Sequence, residues 1–115
     1  MSIKKEEDIK FEWDLNKNKL NKKKHDISFE EAATVFLDDE GLLIPDPDHS
    51  QFEERFIIIG MSRKANLLTV VHCLREHETI IRIISARIAT KRESQQYYER
   101  RGLEKWEKNM ILVKV

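Results

Sequence analysis

Three apolar runs separated by two short gaps place the strongest constraint on how this 115-residue chain can fold. The runs are rich in isoleucine, leucine and valine and cover residues 55–61, 67–74 and 79–86. The gaps between them hold five and four residues. Gaps of this length suit hairpin loops, whereas a parallel crossover needs about a dozen residues or more. The pattern therefore predicts three consecutive strands in an antiparallel meander.

The residues before the meander predict a short strand and two helices. Residues 11–13 alternate apolar and polar side chains, as a half-buried strand does. Asp14 is a suitable N-cap for a first helix, whose apolar side chains, Leu15 and Leu20, leave one narrow stripe for packing. Ser28 opens a capping box with a glutamate three residues later, which predicts a second helix. The two helices are expected over residues 14–25 and 29–37.

Shorter signals complete the predicted order of elements. Residues 42–44 form a brief apolar run that Pro45 ends, because proline cannot donate to a strand ladder. Thr90 opens a second capping box, and the C-terminal helix that it starts is expected to end near Gly102. Residues 110–113 could add an edge strand or dock as a tail.

The length of the chain allows one domain. We expect an α+β fold in which N-terminal helices pack on a three- to four-stranded antiparallel sheet, followed by a C-terminal helix. The core is expected over about residues 11–101, with tails at residues 1–10 and 102–115.

Charge is balanced in total but sorted along the chain. The 21 basic residues equal the 21 acidic ones, which excludes a uniformly basic nucleic-acid binder. Residues 16–25 hold five lysines and no acid, residues 30–54 hold nine acids and no lysine or arginine, and residues 55–101 carry a net charge of +6. Such sorting indicates a polyanionic partner for one surface, unless the acidic block is simply a solvated face.

The sequence lacks the motifs of several kinds of catalytic and metal-binding site. The single Cys73 excludes a disulfide framework within the chain and a thiol-based zinc site. The four histidines are scattered, and no glycine-rich phosphate loop or nucleophile elbow occurs. We therefore expect neither a metal nor a cofactor. The N-terminal residues lack the apolar core of a signal peptide and no run is long enough to span a membrane, so we expect a cytoplasmic protein.

Two polar side chains interrupt the apolar strands. His72 lies within the second run and Arg82 within the third. An arginine is almost never buried without a partner, so Arg82 either pairs with a carboxylate or faces an open surface of the sheet. His72 is either a satisfied, partly buried histidine or part of the same surface. Arg87 has the opposite strand parity from Arg82, unless a bulge re-aims it.

A sheet face with His72 and Arg82, beside a helix with Lys24 and His25, would hold the parts of a metal-free ribonuclease. Lysines neutralise phosphates, arginines bind them bidentately, and histidine moves protons near neutral pH. Such groups support proton transfer at a 2′-hydroxyl and stabilise a phosphorane-like transition state. Trp13 could stack a base or belong to the core.

The motifs are similar to those of a known family. They are residues 11–14 (FEWD), 24–25 (KH), 28–32 (SFEEA), 48–50 (DHS), 54–56 (ERF) and 81–93 (IRIISARIATKRE). In this order, they resemble BrnT-type toxins of bacterial toxin–antitoxin pairs over most of the chain. Two positions depart from the family pattern: Asp26 stands where glycine is usual, and Asn66 where an arginine commonly precedes the strand. The second departure would remove one candidate phosphate contact.

The resemblance implies a RelE-like fold and an endoribonuclease that cuts mRNA without a metal and inhibits translation. It also implies a BrnA-type antitoxin with a ribbon-helix-helix DNA-binding part as partner, through which the complex would contact operator DNA. The candidate catalytic residues are Arg82, His72, Lys24 and Arg87, and the candidate RNA-binding residues are His25, Arg63, Trp13 and Lys17. The alternative is a non-catalytic RNA- or protein-binding domain on the same scaffold.

Overall fold

The structure is a computed structural model that describes residues 9–47 and 54–100. In chain order, the elements are β1 (Lys10–Glu12), α1 (Leu15–His25), α2 (Phe29–Thr34) with a 3₁₀ turn (Val35–Leu37), β2 (Leu42–Pro45), β3 (Phe56–Met61), β4 (Leu67–Arg75), β5 (Ile80–Ile88) and α3 (Lys91–Arg100). The predicted meander and all three predicted helices are present. The expected edge strand at residues 110–113, the helix stop at Gly102 and the motif at residues 48–50 lie outside the described residues.

The five strands form one mixed sheet in the order β1-β5-β4-β3-β2. Strands β2 to β5 pair antiparallel, whereas β1 pairs parallel to β5. The expectation of a three- to four-stranded antiparallel sheet is therefore wrong in strand number and in one direction. The reason is that β1 has only three residues and pairs with a strand about 70 residues later, so no turn in the sequence indicates its partner or its direction.

The predicted N-caps are formed as the sequence indicates. Side-chain oxygens of Asp14, Ser28 and Thr90 each accept a backbone N–H three residues later, at 3.0, 3.0 and 3.1 Å. The Thr90 N–H also donates to the Glu93 carboxylate at 2.8 Å, which completes a reciprocal capping box. Asp26 ends α1 in the left-handed conformation, with φ of 60°. Glycine usually supplies this conformation at the end of a helix.

Glu31 does not complete the capping box expected at Ser28. Its carboxylate is buried and instead accepts hydrogen bonds from Ser62 Oγ at 2.6 Å and Asn66 Nδ2 at 2.8 Å. These bonds tie α2 to the turn between β3 and β4. In this chain, the side chain at position 66 therefore makes a structural contact with Glu31.

The main core lies between α2 and one face of the sheet. Phe29, Ala32 and Val35 pack against Leu68 and Val70 and their neighbours on β5. Successive side chains of a strand point to opposite faces, so these contacts identify which residues of β4 and β5 face the helices.

Helix α1 is attached to β5 by polar contacts. Asn21 Nδ2 donates to the carbonyls of Ile27 and Ala86 at 2.9 and 2.8 Å, and its Oδ1 accepts the Ala86 N–H at 3.1 Å. Leu15 and Leu20 are instead 72% and 65% exposed. The expectation that α1 packs through an apolar stripe is therefore wrong. Asn21 attaches the helix instead, because its amide can bond to the backbone groups of β5 beyond the end of β1.

Candidate functional site

A β-bulge in β5 brings Arg82 and Arg87 to the same face of the sheet. Along β4, Val71 lies opposite Ser85 while His72 lies opposite Ile83, so one extra residue of β5 lies between these pairs. The extra residue reverses the alternation of side chains. Ile83 before the bulge and Ala86 after it both belong to the core, and both arginines therefore face away from the core.

The face opposite α1 and α2 carries a cluster of charged side chains. We call it the arginine face and define it by Glu12, Arg75, Arg82, Ser85 and Arg87. The side chains of its three arginines are 50%, 33% and 41% exposed, in chain order. Helix α3 lies over the neighbouring part of the sheet, on β3. The arginine face is thus open to solvent beside α3.

Arg82 both pairs with a carboxylate and reaches solvent. Its Nη1 donates to Glu12 Oε2 at 2.9 Å, and Arg75 Nε lies 3.5 Å from the same oxygen. The pKa of Asp14 is lowered, chiefly by the hydrogen bond from the Lys17 backbone N–H and to a smaller extent by the charge of Arg82. The start of α1 therefore lies within electrostatic range of Arg82.

Arg87 forms a bidentate pair with Glu93. Its Nη1 and Nη2 donate to the two carboxylate oxygens at 2.8 and 2.9 Å. Hydrogen bonds from Arg87 lower the pKa of Glu93 to about 2, with further contributions from Thr90 and Thr69. The same pair raises the pKa of Arg87. The guanidinium is thus held in one orientation while 41% of the side chain stays exposed.

His72 lies on the other face, so the expectation that it shares a surface with Arg82 is wrong. Cys73, not His72, is opposite Arg82 on β4. The His72 ring is 2% exposed and lies 4.8 Å from the ring of Phe36. Burial lowers its pKa to about 4, so the ring is neutral at pH 7. Strand alternation could not show this from sequence, because both faces of β4 carry buried residues.

Helix α1, which carries five lysines, lies along the edge of β5. The helix begins just after Glu12, which is paired with Arg82, and reaches Ala86 at Asn21. It therefore runs in the direction of β5, and its last turn, with Lys24 and His25, continues past Ala86. Lys17 and Lys24 are both exposed on this helix.

Two further predicted residues are not on the arginine face. Trp13 is half-buried and makes an edge contact with Phe29, with ring centroids 6.1 Å apart, so it belongs to the rim of the core. Arg63 lies in the turn between β3 and β4, where its backbone N–H donates to Thr34 on the helix side. Glu12 and Arg75 were not among the predicted site residues, although strand alternation places Glu12 on the face opposite to Phe11, which packs against the core.

Across residues 9–47 and 54–100, no group of three or more histidine, cysteine, aspartate or glutamate side chains is arranged to hold a metal ion. No helix within these ranges is long and apolar enough to cross a membrane.

The family model of the ribonuclease toxin, BrnT, of type II toxin–antitoxin systems matches residues 13–93, well over half of the chain. The chain belongs to the BrnT family. The match contains both arginines of β5, the whole of α1 and the capping box of α3. Membership confirms the resemblance found in the sequence, and a type II system implies an antitoxin partner.

The fold agrees with a solved BrnT structure. The crystal structure of the Brucella abortus ribonuclease toxin, BrnT, superposes with a TM-score of 0.56 at 20% identity and covers 72% of this chain and 99% of that one. At this identity the likeness concerns the fold alone. No curated protein matches the sequence at a significant level.

Proposed function

We propose that this BrnT-family chain is an endoribonuclease that cleaves mRNA and thereby inhibits translation. The observation that supports it most is the bulge, which aims Arg82 and Arg87 at one open face. Guanidinium groups bind phosphate bidentately and stabilise the charge that develops on a phosphorane-like transition state. We expect the reaction to use the RNA 2′-hydroxyl as nucleophile and to need no metal.

The basic residues divide into two proposed roles. Arg82 and Arg87 contact the scissile phosphate, and Lys17 and Lys24 on α1 bind neighbouring phosphates, with His25 beside them. Lysine suits the second role because its ammonium acts as a compact point charge on a flexible stem. Both arginines already have carboxylate partners, so RNA must compete with these carboxylates for part of the guanidinium surface.

The existing ion pairs also favour the second candidate function, a surface that binds RNA or an acidic protein without cleaving it. The two candidates differ in the fate of the RNA. Purified chain is incubated with single-stranded RNA and a chelator, and the products are resolved on a denaturing gel. Cleavage is expected, and intact RNA with retained binding would favour the second candidate.

Variants of the two arginines test the assignment of the site. Arg82→Ala and Arg87→Ala are each expected to lower the cleavage rate by about 10²- to 10³-fold, as the loss of one transition-state donor does. Arg63→Ala is the matched control, because Arg63 lies on the helix side of the sheet. Unchanged cleavage by both β5 variants would contradict the assignment.

We propose that the partner is a BrnA-type antitoxin with a ribbon-helix-helix part that carries the complex to operator DNA. The block of nine acids at residues 30–54 supports a basic contact segment on that partner. Induced expression of the chain is expected to arrest growth, and co-expression of the neighbouring open reading frame to restore it. Growth arrest without rescue would contradict the proposed pairing.

A further inference from the structure

Two carboxylates lie beside the arginines of β5, and their hydrogen-bonding capacity is used to different extents. Glu93 Oε1 accepts from Thr69, Arg87 and Thr90, each at 2.8 Å, and its Oε2 accepts from Arg87. Its side chain is 18% exposed. Glu93 therefore has little capacity left for a substrate proton and acts as a structural anchor for α3.

Glu12 is arranged differently. Its Oε2 faces Arg82 and Arg75, while its Oε1 accepts no hydrogen bond from any residue in the described ranges 9–47 and 54–100. The side chain is 36% exposed, twice as much as that of Glu93. One oxygen of this carboxylate is thus oriented by arginines while the other is available to a bound molecule.

The proposed reaction needs a group that accepts a proton on this face. The 2′-hydroxyl must lose its proton as it attacks, and His72 cannot take that proton because it lies on the other face of the sheet. A general base must be within hydrogen-bonding reach of the proton it accepts and near the groups that stabilise the transition state. Glu12 touches Arg82, so base and stabilising cation are adjacent.

We propose that Glu12 is the general base of the ribonuclease activity, an inference that rests on the function proposed above. Glu12 Oε1 takes the proton of the 2′-hydroxyl as O2′ forms a bond to phosphorus. The bond from phosphorus to O5′ breaks, and O5′ takes a proton from solvent water. The products are a 2′,3′-cyclic phosphate and a 5′-hydroxyl end, and Glu12 returns its proton to solvent, so no net proton is consumed.

The first test replaces the carboxylate by its neutral isostere. Glu12→Gln keeps an oxygen for Arg82 but is a much weaker base, so single-turnover cleavage is expected to fall by about 10²- to 10⁴-fold. RNA binding, measured by fluorescence anisotropy, is expected to stay the same or tighten because a negative charge is removed. Glu78→Gln in the turn between β4 and β5 is the matched control for the charge change and is expected to cleave normally.

A second test needs no substitution. The unaltered chain is expected to leave 2′,3′-cyclic phosphate and 5′-hydroxyl ends, and products with 3′-hydroxyl and 5′-phosphate ends overturn the proposal. So does a folded Glu12→Gln variant that cleaves within about threefold of the unaltered rate. If Arg82→Ala still lowers the rate in that case, the proposed ribonuclease activity is supported and only the assignment of Glu12 as its base is wrong. If the unaltered chain cleaves no RNA, the proposed function itself fails.

Discussion

At the scale of single residues, the side chain of Asn21 makes hydrogen bonds to β5 that a neighbouring strand would otherwise make. It meets both the N–H and the carbonyl of Ala86 from within a buried environment. Buried backbone groups are rarely left unpaired, and an orphaned one costs about 1–3 kcal/mol. The attachment of α1 therefore depends on this amide more than on the helix's exposed leucines.

Asn21→Ala is expected to lower the free energy of unfolding by about 2–4 kcal/mol, because it leaves the Ala86 N–H and two carbonyls without their partner. Urea denaturation measures the change. Asn16→Ala, at an exposed position of the same helix, is the control and is expected to be neutral or slightly stabilising. Equal effects of the two substitutions would contradict the role of Asn21.

His72 makes the stability of the fold depend on pH in a defined window. Its pKa falls from 6.5 to about 4 on folding because burial disfavours the charged ring. The unfolded chain therefore binds a proton that the folded chain does not, and stability is lost as pH falls from 6.5 to 4. The loss from this residue is expected to reach about 3 kcal/mol below pH 4. Glu93, whose pKa in the folded chain is about 2, loses its stabilising effect at lower pH, as the pH falls from 4.5 towards 2.

The measurement compares urea denaturation of the unaltered chain and of His72→Leu at pH 7 and pH 4.5. As pH falls, the free energy of unfolding of the unaltered chain is expected to decrease relative to that of the leucine variant. A constant difference across this range would show that the ring of His72 does not resist protonation.

At the scale of elements, the turn between β3 and β4 contains a non-glycine residue in a glycine conformation. Ala65 has a φ of 65°, which costs an L-residue about 1–2 kcal/mol relative to the right-handed region. The Ala65 N–H donates to the Ser62 carbonyl at 2.9 Å, so the hydrogen bonds of the turn maintain this conformation.

Ala65→Gly is therefore expected to raise the free energy of unfolding by about 0.5–1 kcal/mol, since relief of the conformation exceeds the added entropy of the unfolded chain. The same substitution at Ala33 within α2 is the control and is expected to lower stability by about 1 kcal/mol. Thermal denaturation of both variants gives the sign. Destabilisation by Ala65→Gly would contradict this account of the turn.

The elements differ in how much of them could be predicted from sequence. Local signals were sufficient for β3, β4 and β5, whose apolar runs agree with the structure to within about two residues at each end, and for the cap at Thr90. They were insufficient for β1, whose partner is distant in the chain, and for the common orientation of Arg82 and Arg87. The bulge that aligns these arginines follows from how β4 and β5 pair, which neither strand specifies alone.

At the scale of the whole molecule, the sorted charge is distributed over distinct surfaces. The exposed lysines of α1 follow the edge of β5, and the arginines of β4 and β5 lie on one open face. Within α1, Lys17 and Lys24 are seven residues apart and share the side nearest Asn21, whereas Lys19 and Lys23 are on the opposite side. The balanced total therefore hides a directional basic surface.

This arrangement predicts which lysines bind RNA. Combining Lys17→Gln with Lys24→Gln is expected to weaken RNA binding and to reduce the slope of log K against log salt by about 1.4, the value for two phosphates on a single strand. Lys19→Gln with Lys23→Gln is the matched control with the same change in charge, and is expected to leave most of the slope. Salt titrations followed by anisotropy measure both, and equal slopes would contradict a directional surface.

The amide of Asn21 also affects how this sheet resists aggregation. Exposed strand edges recruit strands from other chains, because their unpaired backbone groups act as a template. Where β5 extends beyond β1, the amide already occupies the backbone groups of Ala86, so an incoming strand would have to displace α1. At β2, Pro45 has no N–H to offer. The Asn21 amide and the missing N–H of Pro45 thus protect two separate edges of the sheet against pairing with other chains.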